Sequence, residues 1–229
     1  SLRRQRQMCI RDRQDTTNVR WSEAELTRYV NDGQREIVNL KPDASADHAN
    51  VQLSTGTEQS IPTVGLRLIN VVRNMSAAGS SATGKRAIRL VNVDILNTHE
   101  PDWHDPSVTG TSAHGTEIKH FVFDEDDPKK YYVYPGVSGN AFVEIVYSKS
   151  PTDLSSGSDV IQVDDIYANA IVNYVLFRAY MKDAEYAGSL QRSGTHYQLF
   201  TASLGNAVSA EDLISPNTPS GVTLGGGPQ

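Results

Sequence analysis

RWSEAELTRYVNDGQREIVNLKPDA, residues 20–44, is the segment that most clearly indicates a fold, because its pattern is helical throughout. Ser22 followed three residues later by Glu25 is the capping-box pattern that starts a helix. Small or apolar residues then recur every three or four positions, as on one face of an amphipathic helix: Leu26, Val30, Gly33, Ile37 and Leu40. Pro42 disfavours helical backbone at the residue before it. The segment therefore predicts a helix over about 22–40.

Gly33 is an unusual residue for the interior of this helix. Glycine costs roughly 1 kcal/mol relative to alanine at such a position. Two interpretations stay open: a tolerated surface position, or a place where a neighbouring helix approaches closely.

An arginine-rich leader, RRQRQMCIRDR at residues 3–13, precedes the helix. Residues 1–13 hold five Arg and one Asp, whereas the rest of the chain has 16 Lys and Arg against 26 Asp and Glu, a net charge of −10. Residues 3–12 also translate CGT CGG CAG CGT CAG ATG TGT ATA AGA GAC without interruption, a string that resembles a common transposase-based sequencing adapter. We therefore interpret residues 1–13 as an adapter artefact, not a natural basic arm. Cys9 lies within them, so we expect no native disulfide, thiolate chemistry or cysteine-bound metal.

Length and charge limit the classes of function. The chain of 229 residues predicts one domain or two small ones. Its longest apolar region, IYANAIVNYVLFRAYM, is interrupted by two Asn and one Arg, so no stretch resembles a membrane span of roughly 18 apolar residues. A net charge of −10 opposes tight binding of DNA through its phosphates but not the passage of DNA.

From about residue 61 to 150 the pattern is that of strands. LRLINVVRN, RAIRLV, IKHFVF, KYYVYP and NAFVEIVYS are rich in β-branched and aromatic residues. DEDDPKK and GVSG separate the last three of these segments, which predicts hairpins and an antiparallel meander. VDILNTHEPDW predicts one or two helical turns that end before Pro101. Residues 43–60 are polar and predict irregular backbone.

Helical periodicity returns over about 164–204 and predicts two helices. One face of the first has Tyr167, Ala170, Tyr174, Phe177 and Met181, and the second directs Ala187, Leu190, Tyr197, Phe200 and Leu204 toward it. Asp183 fits the N-cap of the second helix, and Gly205 fits the residue after its end. Residues 206–229 contain three prolines and LGGGPQ without a packing period, which predicts a tail that is extended or disordered when alone.

HEPDWHD, residues 99–105, is the strongest candidate for chemistry. The zinc-protease pattern needs two His one helical turn apart, but His104 follows His99 by five residues and Pro101 interrupts the turn. A loose metal site stays open. The alternative is a helix-ending corner in which Pro101 and Trp103 pack.

The other candidates for chemistry are weaker. FDEDDP lacks the ligand spacing of a calcium loop and predicts a solvated hairpin tip. GTSAHG places Ser112 near His114 but lacks the strand–turn–helix context of a nucleophile elbow. The tyrosines 131, 132, 134 and 147 form either a base-stacking platform or core and cross-strand pairs, and the acidic balance favours the core. The sequence thus indicates no catalytic residue, cofactor or metal.

A set of segments in a fixed order resembles the tailed-bacteriophage head-to-tail connector (adaptor) proteins. The set comprises WSEAELTRYVNDGQREIVNLKPDA, GKRAIRLVNVDILNTHEPDWH, FVFDEDDPKKYYVYPG, VEIVYSKSP and AYMKDAEYAGSLQRSGTHYQLFTASLG. The resemblance implies an α+β fold, an antiparallel helical bundle with an inserted antiparallel β-meander region and an extended C-terminal tail. The adaptor domain would be residues 14–205, followed by a flexible arm at 206–229. Such adaptors usually have a further helix before WSEAEL, so we expect one in the native chain.

The resemblance also implies the partners and the location. Its members form a homo-oligomeric ring of about twelve copies beneath the phage portal protein, a ring closed by heterologous contacts. The ring joins the head to the tail or nozzle protein and lines the DNA exit channel, where DNA passes without specific binding. The location is the head–tail junction of the virion, after synthesis in the host cytoplasm, with no membrane and no cofactor.

The tail has sparse apolar residues, too widely spaced to bury one another. We expect Leu213, Ile214, Val222 and Leu224 to bind the portal, in keeping with the C-terminal extensions that such adaptors run along it. Two other functions stay open: a tail or baseplate module that binds carbohydrate or protein through its Tyr/Trp-rich strands, and a hydrolase at His99–Asp105.

Overall fold

The computed structural model of this protein describes residues 21–124, 126–182, 185 and 188–214, the last nine without their side chains. The predictions for residues 1–13, Asp183, Ala187 and residues 215–229 lie outside this part of the chain. The fold has two compact units. A helical unit comprises residues up to 34 and from 153 onward, and a β unit comprises residues 35–152.

The predicted first helix is α1, Glu23–Leu40. Its cap is confirmed, because the Glu25 backbone N–H donates to Ser22 Oγ at 3.3 Å. The Glu25 carboxylate, however, accepts from Lys182 Nζ at 2.6 Å and from the Tyr29 hydroxyl at 2.9 Å. Lys182 is the main reason that the pKa of Glu25 lies below its ordinary value. The acidic residue of the capping box therefore links two helices.

The buried face of α1 differs from the prediction at its C-terminal end. Ile37 and Val38 are buried, whereas Leu40 is 59% exposed. Gly33 is buried, and a Cβ there would come within 3.1 Å of the Tyr174 ring. The close-approach interpretation of Gly33 is therefore correct.

Two further helices lie in the described part of the helical unit. They are α3, Ala168–Lys182, and α4, Ser189–Ile214, with a 3-10 turn at Asp165–Tyr167 before α3. α3 packs antiparallel to α4, because Tyr180 stacks on His196 near one end and Tyr174 contacts Phe200 near the other. α3 also packs antiparallel to α1 through the Lys182–Glu25 pair and the approach of Tyr174 to Gly33.

Two buried amides of α1 hold the segment that leads to α3. The Asn31 side chain donates to the Leu154 carbonyl at 3.0 Å and accepts from the Leu154 N–H at 2.9 Å. Gln34 Oε1 accepts from the Gln162 N–H at 2.7 Å. These contacts explain why polar residues occupy the buried side of an amphipathic helix.

The end of α4 differs from the prediction. The helix passes Gly205 and ends at Ile214, so the predicted end at Gly205 is wrong. A Cβ at Gly205 would meet open space outside the helix. Glycine permits a left-handed helix end but does not require one, and here the helix continues through it.

The described residues of the β unit form two four-stranded sheets, in the orders β1-β8-β3-β4 and β2-β7-β6-β5. The strands are β1 (Ala46–Gln52), β2 (Gly56–Ser60), β3 (Gly65–Met75), β4 (Gly84–Ala87), β5 (Arg89–Leu90), β6 (His120–Phe123), β7 (Lys130–Val137) and β8 (Phe142–Lys149). The helical turns predicted in VDILNTHEPDW form α2, Val93–His99. The α+β class is confirmed.

The predicted meander is wrong in its connections. β6 and β7 pair as the expected hairpin, but β7 and β8 lie in different sheets, so GVSG is a crossover. Residues 43–60 are not irregular, because they contain a 3-10 turn at Pro42–Ser45, then β1 and β2. The strands therefore begin at Ala46, earlier than predicted.

One hydrophobic core lies between the two sheets. Val143, Ile145 and Tyr147 point inward from β8 because alternate residues of a strand share a face. The opposite sheet contributes Phe121, Tyr131, Val133 and Val137.

Candidate functional site: a packed corner and two charged surfaces

The HEPDWHD corner follows α2 and packs against the sheet that contains β6 and β7. Trp103 is 1% exposed and belongs to a cluster with Leu96, Val122 and Tyr134. Its indole N–H donates to Asn97 Oδ1 at 2.9 Å. Trp103 thus packs as the structural alternative predicted, whereas Pro101, which was expected to pack with it, is exposed.

The two His of the corner do not converge on a site. His99 is exposed. His104 lies against the Trp103 ring, with ring centroids 3.7 Å apart, and its Nδ1 is 2.7 Å from Thr57 Oγ1. Among the described residues, no group of three or more His, Cys, Asp or Glu could hold a metal ion.

A short chain of hydrogen bonds closes the corner. The Tyr134 hydroxyl donates to Ser112 Oγ at 3.0 Å, and Ser112 Oγ donates to Glu100 Oε2 at 2.6 Å. Ser112 is buried, and its proton is directed to a carboxylate rather than to His114. His114 Nε2 instead lies 3.4 Å from the Trp103 carbonyl. This arrangement fixes a loop and does not activate a nucleophile, which requires an adjacent base.

His104 and His120 give the β unit a pH dependence. Loss of water around each ring is the largest cause that lowers its pKa. Because the unfolded chain binds these protons more readily than the folded chain, the free energy of unfolding falls as pH drops through about 6.5. Above about pH 6.5 the two neutral His make their full contribution to the free energy of unfolding.

We therefore expect the thermal midpoint to fall between pH 7 and pH 5.5, and to fall less in His104→Gln. Differential scanning calorimetry over this range measures the effect. His99→Gln, at an exposed position of the same corner, is the matched control. An identical pH slope in wild type and His104→Gln would contradict the assignment.

The acidic loop after β6 is organised by its own backbone. Asp124 Oδ1 accepts from the N–H groups of Asp126 and Asp127, at 3.0 and 3.3 Å. Asp127 Oδ1 accepts from the Lys129 N–H at 2.9 Å. The loop is the predicted hairpin tip, and its carboxylates stabilise the turn.

The strand tyrosines do not form a platform. Tyr131, Tyr134 and Tyr147 are buried, and Tyr132 contacts the edge of Trp103. Burial raises the pKa of Tyr131 well above its ordinary value. The core interpretation is correct, and the sugar- or base-binding alternative loses the residues on which it depended.

A basic edge was missed in the sequence. Arg89 of β5 pairs with His120 of β6 in a parallel register, and Arg86, Arg89 and Lys119 all contribute to lowering the pKa of His120. Arg86 also pairs with Glu117 at 3.2 Å. Lys119 follows Arg86 and Arg89 by at least 30 residues in the sequence, so the pairing of β5 with β6 brings it to them.

Charge is divided unequally between the two units. Without residues 1–13, the helical unit has 12 acidic and 5 basic residues, and the β unit has 14 and 11. The helical unit therefore has a net charge of −7, against −3 for the β unit.

The predicted portal-binding residues are only partly within the described chain. Leu213 and Ile214 end α4, and Val222 and Leu224 lie outside the described part. Among the residues of α4 whose side chains are described, which end at Gly205, Phe200 and Leu204 are buried. At 1.5 Å per residue, the ten residues from Gly205 to Ile214 extend the helix by about 15 Å.

The family model described as SU10 adaptor protein matches residues 5–220. None of the curated proteins compared with this chain matches it. Within the described residues, no helix has the length and apolarity needed to cross a membrane.

Proposed function

Because this chain belongs to the SU10 adaptor family, a family of phage head-to-tail adaptors, we propose that it binds below the portal as an oligomeric ring and forms part of the DNA exit channel. The observation that carries this proposal is the family match over residues 5–220. Membership makes the chain a structural bacteriophage protein that interacts with head or tail components. Our proposal adds that the chain forms a ring, binds the portal and the tail or nozzle protein, and lines the channel.

The charge of the helical unit supports the channel. Its 12 acidic and 5 basic residues would repel the phosphates of a passing duplex, so that DNA slides instead of binding. The β unit is closer to neutral, which suits contacts between proteins. We place the helical unit, with the antiparallel helices α1, α3 and α4 as the adaptor bundle, toward the DNA.

The C-terminal end of α4 supports a portal contact. The helix continues for ten residues beyond the buried Leu204, and Leu213 and Ile214 stand at its end. Two adjacent apolar side chains can fill a pocket at a subunit boundary, where each contributes about 1.5–3 kcal/mol when buried. Val222 and Leu224 would extend the same contact along the portal.

We expect Leu213→Ser/Ile214→Ser to weaken portal binding by about 100-fold or more, because two apolar side chains lose their burial. Co-sedimentation with the purified portal of the parent phage measures the affinity. Deletion of residues 206–229 should abolish binding and leave a folded protein, since it retains Phe200 and Leu204.

Leu90→Ser is the matched control, because Leu90 is a 57% exposed leucine of the β unit. It should leave portal binding unchanged. Portal binding by the deletion variant as tight as that of the full chain would move the contact away from the C-terminal arm.

A further inference from the structure

In the described part of the chain the two sheets have four edge strands, and two of them are poor templates for another strand. β5 has only two residues, and β2 has an irregular register with its neighbour β7. The Gln59 side chain also satisfies backbone groups at the start of β2 and in the turn before it. Its oxygen accepts from the Ser54 N–H, and its nitrogen donates to the carbonyls of Ser54 and Gly56. Short, bulged or internally satisfied edges prevent unwanted strand addition.

β1 lacks these protections. It pairs with β8 over seven residues, Ala46 to Gln52, without a register shift. It contains no proline, lysine or arginine, and each of its residues is exposed or half-buried. A long, regular edge with free backbone groups is a template for a further strand.

The backbone of β1 has a defined outward side. The Leu53 N–H points at β8, since it donates to the Ala141 carbonyl at 2.9 Å. N–H groups alternate along a strand, so those of His48, Asn50 and Gln52 point outward. The His48 N–H reaches only the neighbouring Asp47 carboxylate, at 2.9 Å. Those of Asn50 and Gln52 have no partner within the described part of the chain.

We propose that β1 is a subunit interface that accepts β4 of a second copy of this chain and so continues the sheet from one copy to the next. This inference rests on the ring of the proposed function and names its contact. The interface is heterologous, since each copy offers β1 on one side and β4 on the other.

The direction of the strands supports this pairing. All neighbours in the order β1-β8-β3-β4 are antiparallel, so with four strands the two edges run in opposite directions. A copy related by a ring rotation therefore presents β4 antiparallel to β1. The hydrogen-bonding pattern of the sheet continues across the boundary, and no two-fold axis is needed.

Charge supports the same choice of edges. β4 has Lys85 and Arg86, and β1 has Asp47 and no Lys or Arg. Pairing β4 with another β4 would bring cations together, and pairing β1 with β1 would bring Asp47 toward its copy. Opposite charges across strands are favourable and like charges are unfavourable, so the mixed pair is selected.

Asn50→Pro tests the interface, because proline removes the outward N–H of Asn50 and leaves the N–H groups directed at β8 in place. Asn50→Ala is the matched control: both variants lose the side-chain hydrogen bond to the Gly79 carbonyl, but only proline changes the edge. Native mass spectrometry without portal should give oligomers that grow with concentration for wild type and Asn50→Ala, and monomers for Asn50→Pro. Equal melting temperatures of the two variants verify the fold.

Mixing distinguishes the two edges. Asn50→Pro retains β4, so an isotope-labelled Asn50→Pro copy should add to β1 of a wild-type oligomer. It should do so only once per oligomer and shorten the oligomer, because its own β1 cannot accept a further copy. Lys85→Glu, which leaves β1 intact, should weaken assembly about tenfold and provides a second test if Asn50→Pro does not fold. A wild type that stays monomeric, or an Asn50→Pro protein that assembles like Asn50→Ala, overturns the interface.

Labelled Asn50→Pro that stays out of the oligomers also overturns it and indicates two-fold β1 pairing. Portal binding by wild type is scored separately. If wild type binds the portal while the Asn50 variants assemble alike, the interface fails and the proposed function stands. If wild type does not bind the portal, the proposed function fails, whatever the mass spectra show.

Discussion

Asn74→Leu is expected to lower the free energy of unfolding by about 3–6 kcal/mol, because it leaves three backbone groups without their partner. Asn74 is 2% exposed and lies on β3. Its Oδ1 accepts from the Ile118 N–H at 2.8 Å, and its Nδ2 donates to the carbonyls of Ile118 and Arg86 at 2.7 and 3.0 Å. Leucine has a similar volume but satisfies none of these groups.

The cost follows from the groups that would be left behind. One N–H and two carbonyls would lose their partner, at about 1–3 kcal/mol for each that stays buried without water. Urea denaturation followed by tryptophan fluorescence measures the change. Asn70→Leu, at an exposed position of the same strand, should change stability by less than about 0.5 kcal/mol. A loss below about 1 kcal/mol for Asn74→Leu would show that the amide does not hold Arg86 and Ile118 to β3.

Trp103→Ala is expected to cost about 3–5 kcal/mol, as for other large aromatic residues removed from a core. The substitution removes the side chain against which His104 and Tyr132 pack and leaves Asn97 without its donor. Chemical denaturation followed by circular dichroism measures it, because the substitution removes a fluorophore. Asp102→Ala, next to it and exposed, should be nearly neutral. Unchanged stability in Trp103→Ala would mean that the corner is not part of the core.

Local patterns predicted the elements that depend on local sequence. The Ser22 cap, the helical periods of α1 and α3 and the alternation in β8 all act within a few residues. The connections were not predictable in this way. β7 and β8 are separated by four residues but lie in different sheets, because the inward faces of both strands are needed to close one core.

Two misassigned segments show where composition misleads. The composition of β1 predicts irregular backbone, because an edge strand needs few apolar residues and ADHANVQ has only one strongly β-forming residue. α4 continues through Gly205, because glycine permits a left-handed helix end but does not require one. Polar residues with buried roles, such as Asn74 and Asn31, gave no signal, since their partners are far away in the chain.

The candidate site was predictable to a similar degree. Packing of Trp103 and the solvated acidic loop followed from spacing alone. The basic edge of Arg86, Arg89 and Lys119 depends on the parallel β5–β6 pair, which no local pattern indicates. Partners leave even less trace in one sequence, because a surface that binds another protein has the composition of other surfaces.

Electron cryomicroscopy of the wild-type chain mixed with the purified portal of the parent phage tests the central claim most directly. The account predicts a closed ring of this chain, coaxial with the portal, with the acidic helical unit toward the channel and β1 of each copy beside β4 of the next. Portal particles without added density, or single copies bound at the rim with no ring, would contradict it.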